Sequence, residues 1–220
     1  MISVTVLIKN PALKKNEFNC SLSLISPSKQ ERIKQFHSER DAQNCLFGDL
    51  LVRYEICRLI GLRNNQLEFS TNTHGKPFLI NQPNIHFNIS HSGHYIACAI
   101  DDKPIGIDIE LIKKADVKIA NRYFTSDEVT YIMEKHQDYR FFEVWTKKES
   151  YIKWEGVGLS KQLSSFSVLD ASEKSKVYYQ MVYYDGKAIC HVCSPKNEKP
   201  TTKVINSTEF IHKCLSQLKQ

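Results

Sequence analysis

The amino-acid sequence predicts an α+β protein made of two similar lobes. Helical periodicity and strand alternation occupy separate stretches of the chain, and their order nearly repeats on either side of residue 102. The length of 220 residues also accommodates two lobes of about a hundred residues each. We therefore predict an N-terminal lobe over residues 1–102 and a C-terminal lobe over residues 103–220.

The first lobe is predicted from one long helix and two strands. Ser38-Glu-Arg-Asp41 has the form of a capping box, and the apolar residues after it recur at helical spacing until Gly61. Alternation over residues 85–89 and 95–99 indicates two strands. We expect residues 90–94, which lie between them, to form a turn.

The second lobe is predicted to begin with a strand over residues 105–110, in which isoleucines fill one face. Thr125-Ser-Asp-Glu128 is another capping box, and a longer helix runs from about Asp138 until Gly156 stops it. The rest of the lobe is β-rich at residues 165–169, 177–184 and 188–192, with Asp185-Gly186 as a hairpin turn.

The composition is that of an ordinary globular protein. Hydrophobic residues make up 41% and charged residues 25%, which excludes disordered, collagen-like and solenoid classes. The net charge of +6 favours anionic partners without identifying them. No signal peptide or membrane-length apolar run occurs, so we expect a cytoplasmic protein with no membrane partner.

Seven cysteines, an odd number, lie mostly in apolar stretches and are expected to be reduced. Cys190 and Cys193 form a C-x-x-C pair, but no second pair accompanies them and their segment has a strand pattern. A zinc or redox role at this pair is the minor alternative.

The chemical interpretation of the sequence depends on three carboxylates. Asp108 and Glu110 project from one face of a strand, which by itself fits a solvated acidic face. Glu149 and Lys153 share a helical face with aromatic residues, which favours partial burial over an exposed Glu-Lys pair. If the three carboxylates converge, they form an all-oxygen site that suits Mg²⁺, or Mn²⁺ in its place.

Basic and polar residues supply a complement to this metal site. They are Lys76 beside Pro77, Ser90 with His91, and Lys29 with Arg32, three residues apart. Each pair alone fits solvated or structural side chains, but together they describe a pocket for a ligand that bears several phosphates.

Four motifs, in their order and spacing, resemble the surfactin-synthetase-activating type of 4′-phosphopantetheinyl transferase. The motifs are Gly75-Lys-Pro77, Phe87-Asn-Ile-Ser-His-Ser-Gly93, Gly106-Ile-Asp-Ile-Glu110 and Trp145-Thr-Lys-Lys-Glu-Ser-Tyr-Ile-Lys153. The resemblance covers residues 26–169 and implies a pseudo-dimer of two α+β lobes with the active site between them. It also implies that the phosphopantetheine arm of coenzyme A is transferred to a serine of a carrier protein, with release of 3′,5′-ADP.

The resemblance further implies roles for individual residues. Asp108, Glu110 and Glu149 would be the Mg²⁺ ligands, and Lys153 would contact the diphosphate. Glu149, or a water that it orients, would act as general base. The remaining contacts to coenzyme A would be Lys76 and Pro77 at the adenine, Ser90 and His91 at the phosphates, and Lys29 and Arg32 at the 3′-phosphate. The family tends to have lysine at the position of Arg32.

Partners follow from the same resemblance. Residues 111–124, with Val117, Ile119 and Phe124 as apolar anchors, would dock peptidyl or acyl carrier proteins. The implied setting is nonribosomal peptide and antibiotic biosynthesis, with the enzyme as a monomer. Two alternatives are a Mg²⁺-dependent phosphoester hydrolase and a nucleic-acid-binding module. The second is disfavoured because the basic residues are dispersed, so we expect no nucleic-acid partner.

Overall fold

Two larger β-sheets, one two-stranded sheet and the helices that cover them make up the fold of the computed structural model, which describes residues 1–9, 13–169 and 176–219. In chain order the elements are β1 (Ser3–Ile8), α1 (Lys15–Leu22), α2 (Pro27–Lys34), α3 (Glu39–Ile60), β2 (Phe69–Thr71), β3 (Pro77–Leu79), β4 (His86–Ser92), β5 (Tyr95–Asp101), β6 (Gly106–Leu111), α4 (Val117–Tyr123), α5 (Ser126–Glu134), α6 (Gln137–Glu155), β7 (Tyr178–Tyr184), β8 (Ala188–Ser194), β9 (Thr201–Asn206) and α7 (Ser207–Gln217). No helix within the described ranges is long and apolar enough to cross a membrane.

The two larger sheets share one topology. The first has the order β4-β5-β1-β9 and the second has the order β7-β8-β6. In each sheet a hairpin pairs antiparallel with an earlier strand, and a long helix, α3 or α6, lies between that strand and the hairpin in sequence. The α+β class is therefore confirmed, and the near-repetition in the sequence corresponds to a repeated strand order.

The C-terminal segment returns to the first sheet. β9 pairs in parallel with β1, from Ser3 opposite Thr201 to Ile8 opposite Asn206. Phe210 of α7 packs against Phe47 and Tyr54 of α3, with ring centroids 6.2 and 5.7 Å apart. The predicted division gave residues 201–219 to the second lobe, whereas β9 covers the open edge of β1 and α7 packs against α3 in the first.

The two sheets face each other through apolar side chains. Ile105, Ile107 and Ile109 pack with Val4 and Val6 between the sheets. The opposite face of β6 is covered by α6, which approaches so closely that a Cβ on Gly106 would stand 1.9 Å from the Ser150 carbonyl oxygen. Glycine at this position therefore lets the helix backbone rest directly on the strand.

The long helices begin and end where the sequence predicts. The Ser38 hydroxyl accepts the Asp41 amide at 3.3 Å, and α3 ends at Gly61 with φ of +71°. At α5 the Thr125 amide donates to the Glu128 carboxylate at 2.9 Å. α6 ends at Gly156, where φ is +76°. The hairpin between β7 and β8 is also confirmed, with Gly186 in its turn at φ of +82°.

Two predictions of local structure are wrong. Residues 90–94 are not all turn, because β4 continues to Ser92 and the turn is the pair Gly93-His94. Residues 165–169 are not a strand. There the carbonyls of Leu163 and Phe166 accept hydrogen bonds from Lys148, and the Val168 amide donates to Glu128, so these backbone groups pair with a buried ion pair instead of a strand.

Candidate active site

Polar side chains of β4 join the first sheet to β6. Asn88 accepts the Ile107 amide at 2.9 Å, and the Ser90 hydroxyl donates to Asp108 at 2.7 Å. The Ser92 hydroxyl donates to Glu110 at 2.6 Å. Because residues 88, 90 and 92 alternate along a strand, they share one face, and that face holds the carboxylates of β6 at the join between the two lobes.

Lys153 and Asp108 form the centre of the site. The ammonium donates to Asp108 Oδ1 at 2.7 Å and to the Ser90 hydroxyl at 3.0 Å. Asp108 is buried, and its second oxygen, Oδ2, has no hydrogen-bond partner among the described residues. A buried carboxylate oxygen without a partner is costly, which makes this atom a candidate ligand position.

Glu110 and Glu149 lie within electrostatic reach of Asp108. Burial, followed by the charge of Asp108, raises the pKa of Glu110 to about 7. The same two causes raise the pKa of Glu149. Glu149 accepts no hydrogen bond within the described part of the chain, whereas Asp108 and Glu110 are each held by a serine.

The donor set of this site fits a hard divalent cation. The charge of Asp108 acts unfavourably on Glu110 and on Glu149, and Asp108 has an unpartnered oxygen, so a shared positive charge would stabilise the three carboxylates. In the described ranges no three acidic, histidine or cysteine side chains already stand in ligating geometry, so binding would require the side chains to move.

Lys76 and Pro77 line a cavity of about 200 Å³ beside the end of α6. The lining also includes Asn72, Phe78, Ile85, His86, Phe87, Glu155 and Gly156. The Lys76 ammonium does not point into solvent; it donates to the carbonyls of Ile105, Lys153 and Trp154. The cavity therefore adjoins the helical turn that carries Lys153.

Lys29, Arg32 and His91 lie outside the network of Ser90, Asp108 and Lys153. Lys29 pairs with Asp49 of α3 at 3.1 Å. Burial raises the pKa of the Cys45 thiol, and the positive charges of Lys29 and Arg32 act in the opposite direction. Both basic residues therefore lie near Cys45. His91 is exposed and projects from the face of β4 opposite to Ser90, because neighbouring residues of a strand alternate.

Two family models match consecutive parts of the chain. The model described as "4'-phosphopantetheinyl transferase, N-terminal" matches residues 11–103, and the 4'-phosphopantetheinyl transferase superfamily model matches residues 104–216. The 4'-phosphopantetheinyl transferase Sfp of Bacillus subtilis is 44% identical over 159 residues, 71% of each chain. The chain belongs to the 4′-phosphopantetheinyl transferase family.

Similar proteins are also found outside the genus Bacillus. The 4'-phosphopantetheinyl transferase gsp of Aneurinibacillus migulanus is 37% identical over 171 residues, 76% of this chain and 71% of that one. The human L-aminoadipate-semialdehyde dehydrogenase-phosphopantetheinyl transferase is 31% identical over 164 residues, 67% of this chain and 53% of that one. The two family models meet at residues 103 and 104, between β5 and β6, where the chain passes from the first sheet to the second.

Several residues that support the candidate site were not predicted from the sequence. Asn88 and Ser92 hold β6 in place, and their spacing with Ser90 was a period-two signal that the predicted turn concealed. Lys148, next to Glu149, forms a fully buried ion pair with Glu128 at 2.8 Å. No local pattern indicates that pair, because its partners lie 15 to 20 residues away in the sequence.

The predicted carrier surface stays a prediction, and the structure shows which of its apolar anchors are exposed. Val117 is 39% exposed, and Ile119 is half-buried. Phe124 is wrong as a docking anchor, because it is buried against Phe141 and Trp145 at centroid distances of 5.4 and 6.1 Å. Tyr123, 39% exposed, lies beside it and faces solvent instead.

Cys190 and Cys193 are buried free thiols on β8. Burial raises the pKa of both. A buried thiol of raised pKa is a poor nucleophile, so the thiols act as small apolar side chains.

Proposed function

We propose that this transferase moves the 4′-phosphopantetheine arm of coenzyme A to a serine of an apo carrier protein, peptidyl or acyl, and releases 3′,5′-ADP. The observation that carries the proposal is the chain of contacts from Ser90 to Asp108 to Lys153 at the join of the two lobes, with Glu110 and Glu149 close by. We further propose that the enzyme works as a monomer in the cytoplasm.

Asp108, Glu110 and Glu149 would hold Mg²⁺, or Mn²⁺, in this proposal. The unpartnered Oδ2 of Asp108 and the raised pKa of Glu110 both support a shared cation. When bound, such a cation supplies positive charge to the diphosphate of coenzyme A. The carboxylates would have to turn toward it, and Ser90 and Ser92 restrict how far two of them move.

Lys153 would stabilise the leaving group. An ammonium has three N–H donors, and Asp108 and Ser90 occupy two of them, which leaves one for a phosphate oxygen. In the transfer, the phosphorus attached to pantetheine forms a bond to the serine oxygen and loses its bond to the bridging oxygen. That oxygen leaves with 3′,5′-ADP, and its developing charge lies near the ammonium.

Glu149 would accept the proton of the attacking serine. Asp108 and Glu110 each accept a serine hydroxyl, whereas the Glu149 carboxylate has no donor among the described residues and is available to the incoming hydroxyl. The rest of the catalytic effect comes from holding serine and phosphorus in line.

Coenzyme A would lie across the join of the lobes. The cavity beside Lys76 and Pro77 suits the adenine, since it adjoins the turn that carries Lys153. His91 at the phosphates, and Lys29 with Arg32 at the 3′-phosphate, stay predictions from the sequence. The carrier would dock on residues 111–124, where Val117 and Tyr123 are exposed among basic residues; these are Lys113, Lys114, Lys118 and Arg122. Acidic carriers complement this surface.

The test is chromatographic measurement of 3′,5′-ADP after incubation with coenzyme A and Mg²⁺, with and without an apo carrier protein. We expect release that depends on the carrier. Equal release without the carrier would identify a hydrolase instead. Release that does not change when chelator replaces Mg²⁺ would contradict the metal proposal.

A further inference from the structure

One lysine of the first lobe contacts both catalytic elements of the second. The Lys76 ammonium donates to the Ile105 carbonyl at 3.1 Å, to the Lys153 carbonyl at 2.5 Å and to the Trp154 carbonyl at 3.2 Å. Ile105 directly precedes β6, which carries Asp108, and the other two carbonyls belong to the last turn of α6. These contacts use all three donors of the ammonium.

The Lys76 side chain is closely packed and partly shielded from solvent. Burial lowers the pKa of this lysine to about 8. A Cβ on Gly156 would stand 3.2 Å from the Lys76 side chain, so little space remains beside its stem. A positive charge at the C-terminus of a helix also interacts favourably with the helix dipole and with the carbonyls that no helical amide reaches.

The turn that presents Lys76 is itself fixed to the helix end. Asn72 Oδ1 accepts the amides of His74 and Lys76, both at 2.9 Å, and Asn72 Nδ2 donates to the Gly156 carbonyl at 3.0 Å. Gly75 has φ of +83°, which tightens the turn. The lysine is therefore held in place from its backbone as well as from its ammonium.

We propose that Lys76 is a positioning residue whose ammonium fastens the end of α6 to the start of β6 and so fixes Lys153 beside Asp108. We call this set of three carbonyl contacts the clasp. The proposal rests on the proposed function, since it concerns the rate of the same transfer. Because the ammonium has no free donor, it acts on the backbone of the site and makes no contact with a phosphate of coenzyme A.

The test compares Lys76→Met with Lys103→Met. The first variant keeps a stem of similar length but removes the ammonium, and the second replaces an exposed lysine in the turn before β6. We expect Lys76→Met to lower kcat tenfold or more, because displacement of reacting groups by about 1 Å costs on the order of a hundredfold in rate. KM for coenzyme A and the Kd for 3′,5′-ADP should stay within threefold. Lys103→Met should match the wild type.

Two outcomes would overturn the proposal that Lys76 is a positioning residue. A raised KM at unchanged kcat would mean that the Lys76 ammonium binds coenzyme A instead of the three carbonyls, and wild-type values of both would remove its positioning role. If Lys76→Met does not fold, Lys76→Arg decides, because a planar guanidinium keeps the charge but cannot meet three carbonyls grouped around one point. We then expect a reduced kcat at unchanged KM, and a wild-type kcat would overturn the proposal.

Amide hydrogen exchange separates failure of the clasp from failure of the proposed function. In the free protein, Lys76→Met should speed exchange in residues 149–156 and leave α3 unchanged. Unchanged protection at residues 149–156 would overturn the clasp whatever the activity. If the wild-type protein transfers nothing but Lys76→Met loses protection at residues 149–156, the proposed function is overturned and the positioning role of Lys76 stands.

Discussion

Replacement of Gly106 by alanine is expected to abolish most activity, because the added Cβ meets the backbone of α6. It would stand 1.9 Å from the Ser150 carbonyl oxygen and 2.4 Å from the Trp154 amide nitrogen. An ordinary carbon–oxygen contact is about 3.5 Å, so the helix must move away by about 1.5 Å. Neither neighbour is a side chain that can rotate.

This movement acts directly on the contact between Lys153 and Asp108, at the centre of the candidate site. The hydrogen bond between Lys153 and Asp108 measures 2.7 Å and connects α6 to β6, so a shift of that size takes it outside hydrogen-bond range. Misplacement of about 1 Å costs on the order of a hundredfold in rate, and overpacking costs about 1–3 kcal/mol of stability. We expect kcat to fall a hundredfold or more and Tm to fall by several degrees.

The assay is transfer to an apo carrier protein, together with thermal unfolding monitored by circular dichroism. Gly186→Ala is the matched control, since Gly186 lies in the exposed hairpin turn with φ of +82°, and a Cβ added there would meet no atom within 4 Å. It should lower Tm through backbone strain and leave kcat unchanged. A nearly normal kcat for Gly106→Ala would show that close contact between α6 and β6 is not needed for transfer.

Three further predictions concern the site and its support. Glu149→Gln should remove most turnover at unchanged Tm, and a rate near that of the wild type would rule out the proposed base. Ser90→Ala should lower kcat about tenfold, because Lys153 loses one of its two side-chain contacts, worth about 1–2 kcal/mol; steady-state rates that match the wild type would contradict this. Lys148→Met should destabilise the fold by about 3–5 kcal/mol in urea titration, because Glu128 is left buried without its counter-ion. The double variant Lys148→Met with Glu128→Gln should recover part of that loss, and a loss equal to the sum of the single variants would show that the pair is not coupled.

The parts of the fold that local signals specify were predictable. Ser38 and Gly61 bound α3, and Gly156 ends α6, because caps act within a few residues of the helix end. The alternation of isoleucines with Asp108 and Glu110 predicted which face of β6 carries the carboxylates, and the isoleucines do fill the opposite face.

The remaining parts depend on contacts between residues far apart in the chain. Ser90 and Ser92 resemble turn residues locally, yet their hydroxyls bond to residues 18 positions later, which favours a continued strand. Residues 165–169 have β-forming side chains, but the buried Lys148 and Glu128 pair takes their backbone groups. The pairing of β9 with β1 joins the two ends of the chain, and no local pattern indicates it.

The candidate site likewise combines residues that local spacing predicts with contacts that local spacing does not predict. Spacing along β6 and α6 predicted Asp108, Glu110, Glu149 and Lys153, and Asp108 lies within reach of the other three. The role of the Lys76 ammonium could not be predicted, because its acceptors are backbone carbonyls of two other elements.

Intact mass spectrometry of an apo carrier protein shows directly whether the enzyme transfers the phosphopantetheine arm. The carrier is incubated with the enzyme, coenzyme A and Mg²⁺, beside a carrier in which the acceptor serine is alanine. We expect the first carrier to gain the mass of one phosphopantetheine arm and the second to gain nothing. An unmodified first carrier, or equal modification of both, would contradict transfer of the arm to the carrier serine.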